Sequence, residues 1–146
     1  MPISDAPHAK LYLRFADIFN ARDYDRLGEV LTDDFTDHHP GLVDVTSRET
    51  YARNLAAVIA ALDMRAEPEQ ILVTDDTVST RIRLTGKHVG PFLGLEPTAA
   101  DLDWYTHEIW RVGAEGDRFV ERWAVDDLLG LLAQTGFPLP TWSDPQ

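Results

Sequence analysis

Residues 104–127 read WYTHEIWRVGAEGDRFVERWAVDD. The stretch is predicted to form two β-strands joined by a tight turn and running into a closing helix. Strand side chains alternate between two faces. On the first strand Trp104, Thr106, Glu108 and Trp110 share one face, and Tyr105, His107, Ile109 and Arg111 share the other. On the second, Val120, Arg122 and Ala124 lie together, opposite Phe119, Glu121 and Trp123. Charged groups and large aromatics fall on both sides, whereas a surface hairpin would keep one side plainly polar. The hairpin therefore reads as the wall of a pocket.

Working outward, the residues before the hairpin look strand-like as far back as Glu69. Glu69–Thr74 is one strand, Asp75–Asp76 a short turn, and Thr77–His88 a strand rich in β-branched residues. Val78, Thr80, Ile82, Leu84, Gly86 and His88 share an inward face of that strand. Residues 90–100, GPFLGLEPTAA, form a loop with an apolar centre. Further back the period becomes helical. Tyr51, Leu55, Val58, Ile59 and Leu62 make one stripe of a helix over about Arg48–Leu62, capped by Thr46 or Ser47. Leu11, Phe15, Ile18 and Phe19 make another stripe over Ala9–Asn20, and a short helix is expected over Tyr24–Leu31. Residues 33–41, DDFTDHHPG, leave the helical pattern and end in a Pro40–Gly41 turn. After the hairpin come a short helix, Asp126–Gln134, and an irregular Pro-rich tail, Gly136–Gln146. Helices first, then antiparallel strands, predict an α+β fold, with helices across the open side of a curved sheet. The cone so formed encloses a natural small-molecule cavity. One domain spanning 1–146 is expected, since 146 residues is the ordinary size of one.

Composition narrows the function. The net charge of −12, from 25 acids against 13 bases, argues against a nucleic-acid surface and an anionic membrane. With no cysteine, disulfides, thiolate nucleophiles and Cys-based metal sites are excluded. No apolar run approaches ~18 residues, and MPISDAPHAK has no signal-peptide pattern, so a cytoplasmic protein is expected. There is no phosphate loop, dinucleotide fingerprint, HExxH or nucleophile elbow. Any chemistry is expected to be acid–base work without a cofactor.

Several residues could carry it. Glu108, between two indoles, faces Arg122 on the adjoining strand. The two form either a structural ion pair or a poised acid–base group with a cation steadying an oxyanion. His88 ends its strand facing inward, as a core histidine or as the acid–base partner of Glu108. Of the adjacent His38 and His39, at most one enters the pocket. Asp126 or Asp127 caps the closing helix. A metal on His38, His88 and Glu108 is a weaker third reading, since the spacing carries no metal signature. Trp104, Trp110, Phe92 and Leu95 are the expected apolar walls. Tyr105, Ile109, Trp123 and Phe119 make the other hairpin face an expected dimer surface.

FTDHHPG, GKHVGPFLGLEPTAA, HEIWRV and VERWAVDDLLGLLAQTG, in that order, resemble the SnoaL-like polyketide cyclase (ester cyclase) family. The most specific pieces are the HxGxFLGxxPT loop and the ExWxxxD…LGLLxQxG ending, and the resemblance covers nearly the whole chain. It implies a cone-shaped barrel of the nuclear-transport-factor-2-like superfamily, closed by N-terminal helices. It implies cofactor-free aldol ring closure of a largely apolar polyketide ester, and oligomers packed through the exposed sheet face. It matches the family's loop histidines to His38 and His88. The chain departs from the family where proton transfer is carried. Glu108 stands in place of an inward His, and Ala124 follows the last-strand Trp where the cyclases have Asp. An alanine moves no proton, so a non-catalytic binding or dimerisation module is the competing expectation, unless a bulge turns Asp126 or Asp127 inward.

Overall fold

A computed structural model describes residues 3–39 and 43–139. Helix α1 (Pro7–Ala21) begins with proline in its first turn, where a missing N–H costs nothing, and ends at Arg22 in the left-handed region (φ 58°). A 3-10 helix, Tyr24–Glu29, leads into β1 (Leu31–His38). Helix α2 (Arg48–Leu62) is capped by Ser47, whose hydroxyl accepts from the Thr50 N–H. Then follow β2 (Arg65–Thr74), β3 (Thr77–Lys87), β4 (Asp101–Val112), β5 (Phe119–Asp126) and α3 (Leu128–Gln134). The segment that merely leaves the helical pattern in sequence is thus a strand, and the expected Pro40–Gly41 turn lies outside the described residues. No described helix is long and apolar enough to cross a membrane.

The five strands form one curved sheet in the order β1-β5-β4-β3-β2, with β1 parallel to β5 and the other pairs antiparallel. The sheet stays open at β1 and β2, so the cone is completed by helices and not by a closed barrel. β2 starts earlier than the β-branched run suggests, because Asn20 of α1 binds the Ala66 backbone at both its N–H (2.8 Å) and its C=O (2.9 Å). On this edge strand Pro68 needs no ladder donor, and the register shifts between Pro68 and Gln70. Where β3 passes the end of α2, a Cβ on Gly86 would stand 2.1 Å from the Leu62 carbonyl oxygen. Only glycine allows that approach.

β3 and β4 pair without interruption from Thr77↔Arg111 to Lys87↔Asp101. β4 and β5 do not. Arg111 pairs with Glu121 but Val112 pairs with Phe119, leaving Val120 as the extra residue of a bulge. Beyond the bulge the alternation inverts. Phe119 is therefore fully buried, and the expectation that it belongs to the outer, dimer-forming face is corrected. Its ring lies 4.8 Å from that of Trp110, which also meets Phe15 at 4.8 Å and Phe35 at 5.8 Å. Trp110 is thus the centre of the apolar core, sealed from solvent. Trp104, six residues and roughly 20 Å away along β4, is also buried but lines the cavity between sheet and helices.

Candidate functional site

Between the concave sheet face and α1 and α2 lies a cavity of about 730 Å³, the usual scale for a small organic ligand. Its walls are largely apolar: Phe15, Leu55, Val58, Ile82, Leu84 and Trp104. Phe92, Leu93, Val43 and Leu128 stand around its mouth.

One side of the cavity is charged. At its depth Glu108 takes a hydrogen bond from Tyr12 (2.9 Å) and one from Thr80 (3.0 Å) at Oε1. At Oε2 it meets Nε (2.7 Å) and Nη2 (2.6 Å) of Arg122. Arg122 sits opposite Trp110 in the ladder, so its guanidinium reaches diagonally to Glu108. Its Nη1 donates to Asp37 Oδ1 at 2.7 Å. Burial alone would lower the Arg122 pKa, but Glu108, then Asp37, hold it well above the ordinary arginine value. Burial and the adjoining carboxylate raise the Tyr12 phenol, which stays a neutral donor. For Asp37, burial is outweighed by His39 and Arg122, and its carboxyl is held low.

The chain of charges continues outward. His39 Nδ1 lies 3.2 Å from Asp37 Oδ2, and its Nε2 lies 3.9 Å from Asp126 Oδ1, an ion-pair distance rather than a direct hydrogen bond. A neutral imidazole could donate to only one carboxylate. Flanked by Asp126 and Asp37, His39 has its pKa raised to about 9 and is an imidazolium at neutral pH. Asp126 accepts from Thr106 Oγ1 (2.8 Å) and Trp104 Nε1 (3.2 Å). Burial would raise its pKa, but His39, Thr106 and Arg122 hold it below the ordinary aspartate value. An ionised carboxylate and a protonated imidazole thus face each other in the cavity wall. The pair can accept a proton at one point and donate one at another.

The raised His39 pKa has a consequence for folding. The protonated histidine's contribution is fully present below its ordinary value of 6.5 and is lost as the pH rises through about 9. His38 titrates in the same direction, so the comparison must be with a variant. Urea unfolding at pH 6.5 and pH 9.5 is expected to show a smaller loss of stability in His39→Gln than in the parent. Equal losses in both would contradict the assigned ion pairs.

Glu108, Arg122, Trp104, Phe92 and Ala124 all line the cavity, as the sequence suggests. Four other expected site residues do not. His38 turns to the outer side, between Asp44 (2.7 Å) and Glu121 (2.7 Å), with its ring stacked 5.2 Å from Trp123. It is His39 that enters. His88 does face inward but is sealed under the 88–100 loop, with Nδ1 taken by Thr98. Its backbone is tied to Ala99 and Ala100, so it anchors the loop and does not meet Glu108. Trp110 lies in the core, and Leu95 folds back on Phe92 in the loop. His38, His88 and Glu108 do not converge. Among the described residues no cluster of three or more His, Asp or Glu side chains could hold a metal.

Asp126 needs no bulge to turn inward. It follows Arg122 and Ala124 at the strand period, and the simple alternation could have found it. Asp127 caps α3 by accepting from the Gly130 N–H at 2.9 Å.

The sequence profile of the SnoaL-like polyketide cyclases matches residues 9–135. AclR of Streptomyces galilaeus, a candidate hydroxylase, superposes with a TM-score of 0.79 at 26% identity, covering 94% of this chain and 100% of AclR. IdmH of Streptomyces antibioticus, a candidate polyketide cyclase, gives 0.78 at 28% identity over 90% of this chain and 99% of IdmH. A candidate SnoaL-like cyclase from Jannaschia sp. CCS1 gives 0.82 at 23% identity, over 93% of this chain and 99% of its own, and shows the fold alone. No curated protein matches the chain.

Proposed function

The chain belongs to the SnoaL-like polyketide cyclase family, and from that premise we propose that it binds a largely apolar, carbonyl-bearing organic molecule and moves protons on it without a cofactor. The observation that carries this reading is the ionised Asp126 facing the His39 imidazolium in the charged side of a largely apolar cavity. Asp126 takes a proton from a carbon beside a carbonyl. The electron pair of that C–H bond becomes the enolate C=C bond and the carbonyl π pair moves to oxygen, where the His39 cation steadies the negative charge. Attack of the enolate carbon on a second carbonyl closes a ring, the first carbonyl reforms, and the new alkoxide takes the proton from Asp126. Without a second carbonyl, return of a proton to the same carbon completes an exchange. Of the two parts that its sequence position left open, Glu108 is assigned the structural ion pair with Arg122 and not the acid–base role. With Tyr12, Thr80 and Arg122 already bound to its two oxygens, it fixes Arg122 and through it Asp37 and His39.

The test uses 2-tetralone, a bicyclic ketone with an acidic carbon, dissolved in heavy water. The protein is expected to accelerate deuterium entry at that carbon above the buffer rate. Binding without acceleration would replace this reading with that of a non-catalytic ligand-binding module, which the methyl group of Ala124 in the cavity wall favours.

Two half-exposed apolar side chains on the outer sheet face, Ile109 and Trp123, support association with a second copy of the chain. Light scattering on the eluting protein should give twice the chain mass, and Trp123→Glu should halve it. A parent protein that elutes at the mass of one chain removes that surface from the proposal.

A further inference from the structure

Tyr51 is the fourth residue of α2, on the stripe that faces the sheet. Its ring stands edge-on to Phe35 at 5.1 Å, the residue is 5% exposed, and it lines the cavity. Among the described residues its hydroxyl has no hydrogen-bond partner. Nor is it one of their two sealed, unpartnered side-chain atoms, which are His88 Nε2 and Trp110 Nε1. The oxygen therefore opens on the cavity. The other buried donors of the polar wall are committed. Tyr12 and Thr80 donate to Glu108, Thr106 and Trp104 to Asp126, and Arg122 to Glu108 and Asp37. Burial pushes the Tyr51 phenol well above its ordinary value, with Asp37, Glu108 and Asp126 adding to the rise against the opposing effect of Arg122. It is a neutral donor over the working pH range.

We propose that Tyr51 determines specificity by donating its O–H to an acceptor oxygen of the molecule in the cavity, so that the site takes oxygenated ring systems in preference to plain hydrocarbons of the same shape. A buried donor without an acceptor is costly, and a ligand that supplies one is selected over one that does not. This rests on the reading of the cavity as a ligand site, and the test separates the two.

Equilibrium dialysis of 2-tetralone and of tetralin, its hydrocarbon counterpart, gives dissociation constants for the parent protein and for Tyr51→Phe. The phenylalanine keeps the contact with Phe35. Affinity for 2-tetralone is expected to fall about five- to tenfold, with tetralin unchanged. A loss shared equally by both probes, or by neither, overturns the role of Tyr51 while leaving the cavity as the binding site. If neither probe binds the parent protein, both readings fall. The carbonyl stretch of bound 2-tetralone provides a second readout. It should lie lower in the parent protein than in Tyr51→Phe, and the same frequency in both overturns the proposal.

Discussion

Replacing Arg122 by leucine is expected to destabilise the fold by about 3–5 kcal/mol at neutral pH, the range for breaking a buried ion pair from one side. Arg122 is 9% exposed, and its guanidinium holds the carboxylates of Glu108 and Asp37, residues that are 5% and 7% exposed. Leucine fills part of the space but leaves Glu108 without a cation in a low-dielectric setting and Asp37 with His39 alone. The pH dependence identifies the cause. In the parent protein Asp37 titrates below its ordinary value, so its contribution is present at neutral pH and is lost as the pH falls through the depressed folded pKa. In Arg122→Leu the Asp37 carboxyl loses Arg122 and keeps His39, so it is held down less than in the parent. The penalty is largest at neutral pH, where Asp37 is ionised, and is relieved as acid protonates it. The gap between variant and parent should therefore narrow as the pH is lowered from 7 toward the ordinary aspartate value in urea unfolding. Adding Glu108→Leu to Arg122→Leu should cost less than the sum of the single changes, because the residues share one interaction. A cost within about 1 kcal/mol for Arg122→Leu, the level of an exposed pair, would show that the network contributes little.

The second large effect concerns chemistry. Asp126→Asn is expected to slow deuterium entry into 2-tetralone by about 10²–10⁴-fold, the usual contribution of a positioned acid–base group. Binding of 2-tetralone should change little, because the amide oxygen can still accept from Thr106. A nearly isosteric change that leaves affinity intact but removes the rate isolates proton transfer. The rate profile of the parent should have an acid limb below the ordinary aspartate value and an alkaline limb at about 9, as Asp126 gains and His39 loses its proton. His39→Gln should remove the alkaline limb. An Asp126→Asn protein with undiminished exchange would move the base elsewhere in the cavity.

The hairpin, Trp104–Asp127, shows what periodicity could and could not reach. Its first strand alternates without interruption, and Trp104, Thr106, Glu108 and Trp110 all lie inward as the sequence implies. The same alternation on β5 puts Arg122, Ala124 and Asp126 on one face, so the carboxylate that Ala124 lacks stands two residues on, along the same strand. Phe119 escapes the rule because Val120 is inserted between paired residues, and one extra residue inverts every side chain beyond it. Facing inward also differs from lining the cavity. Trp110 and His88 both face inward, but one is enclosed by rings from α1 and β1 and the other by its own returning loop.

By itself, then, the sequence determined the α+β class, the helix stripes, the inward face of β3 and β4, and the family, since each depends on local spacing or on contiguous motifs. Only the tertiary structure decided that His39 enters while His38 pairs with Asp44 and Glu121, and that Glu108 is bound up with Tyr12 and Thr80. These outcomes depend on partners 6 to 96 residues away. Strand period fixes which way a side chain points. What lies in front of it is set by elements that meet only when the chain folds.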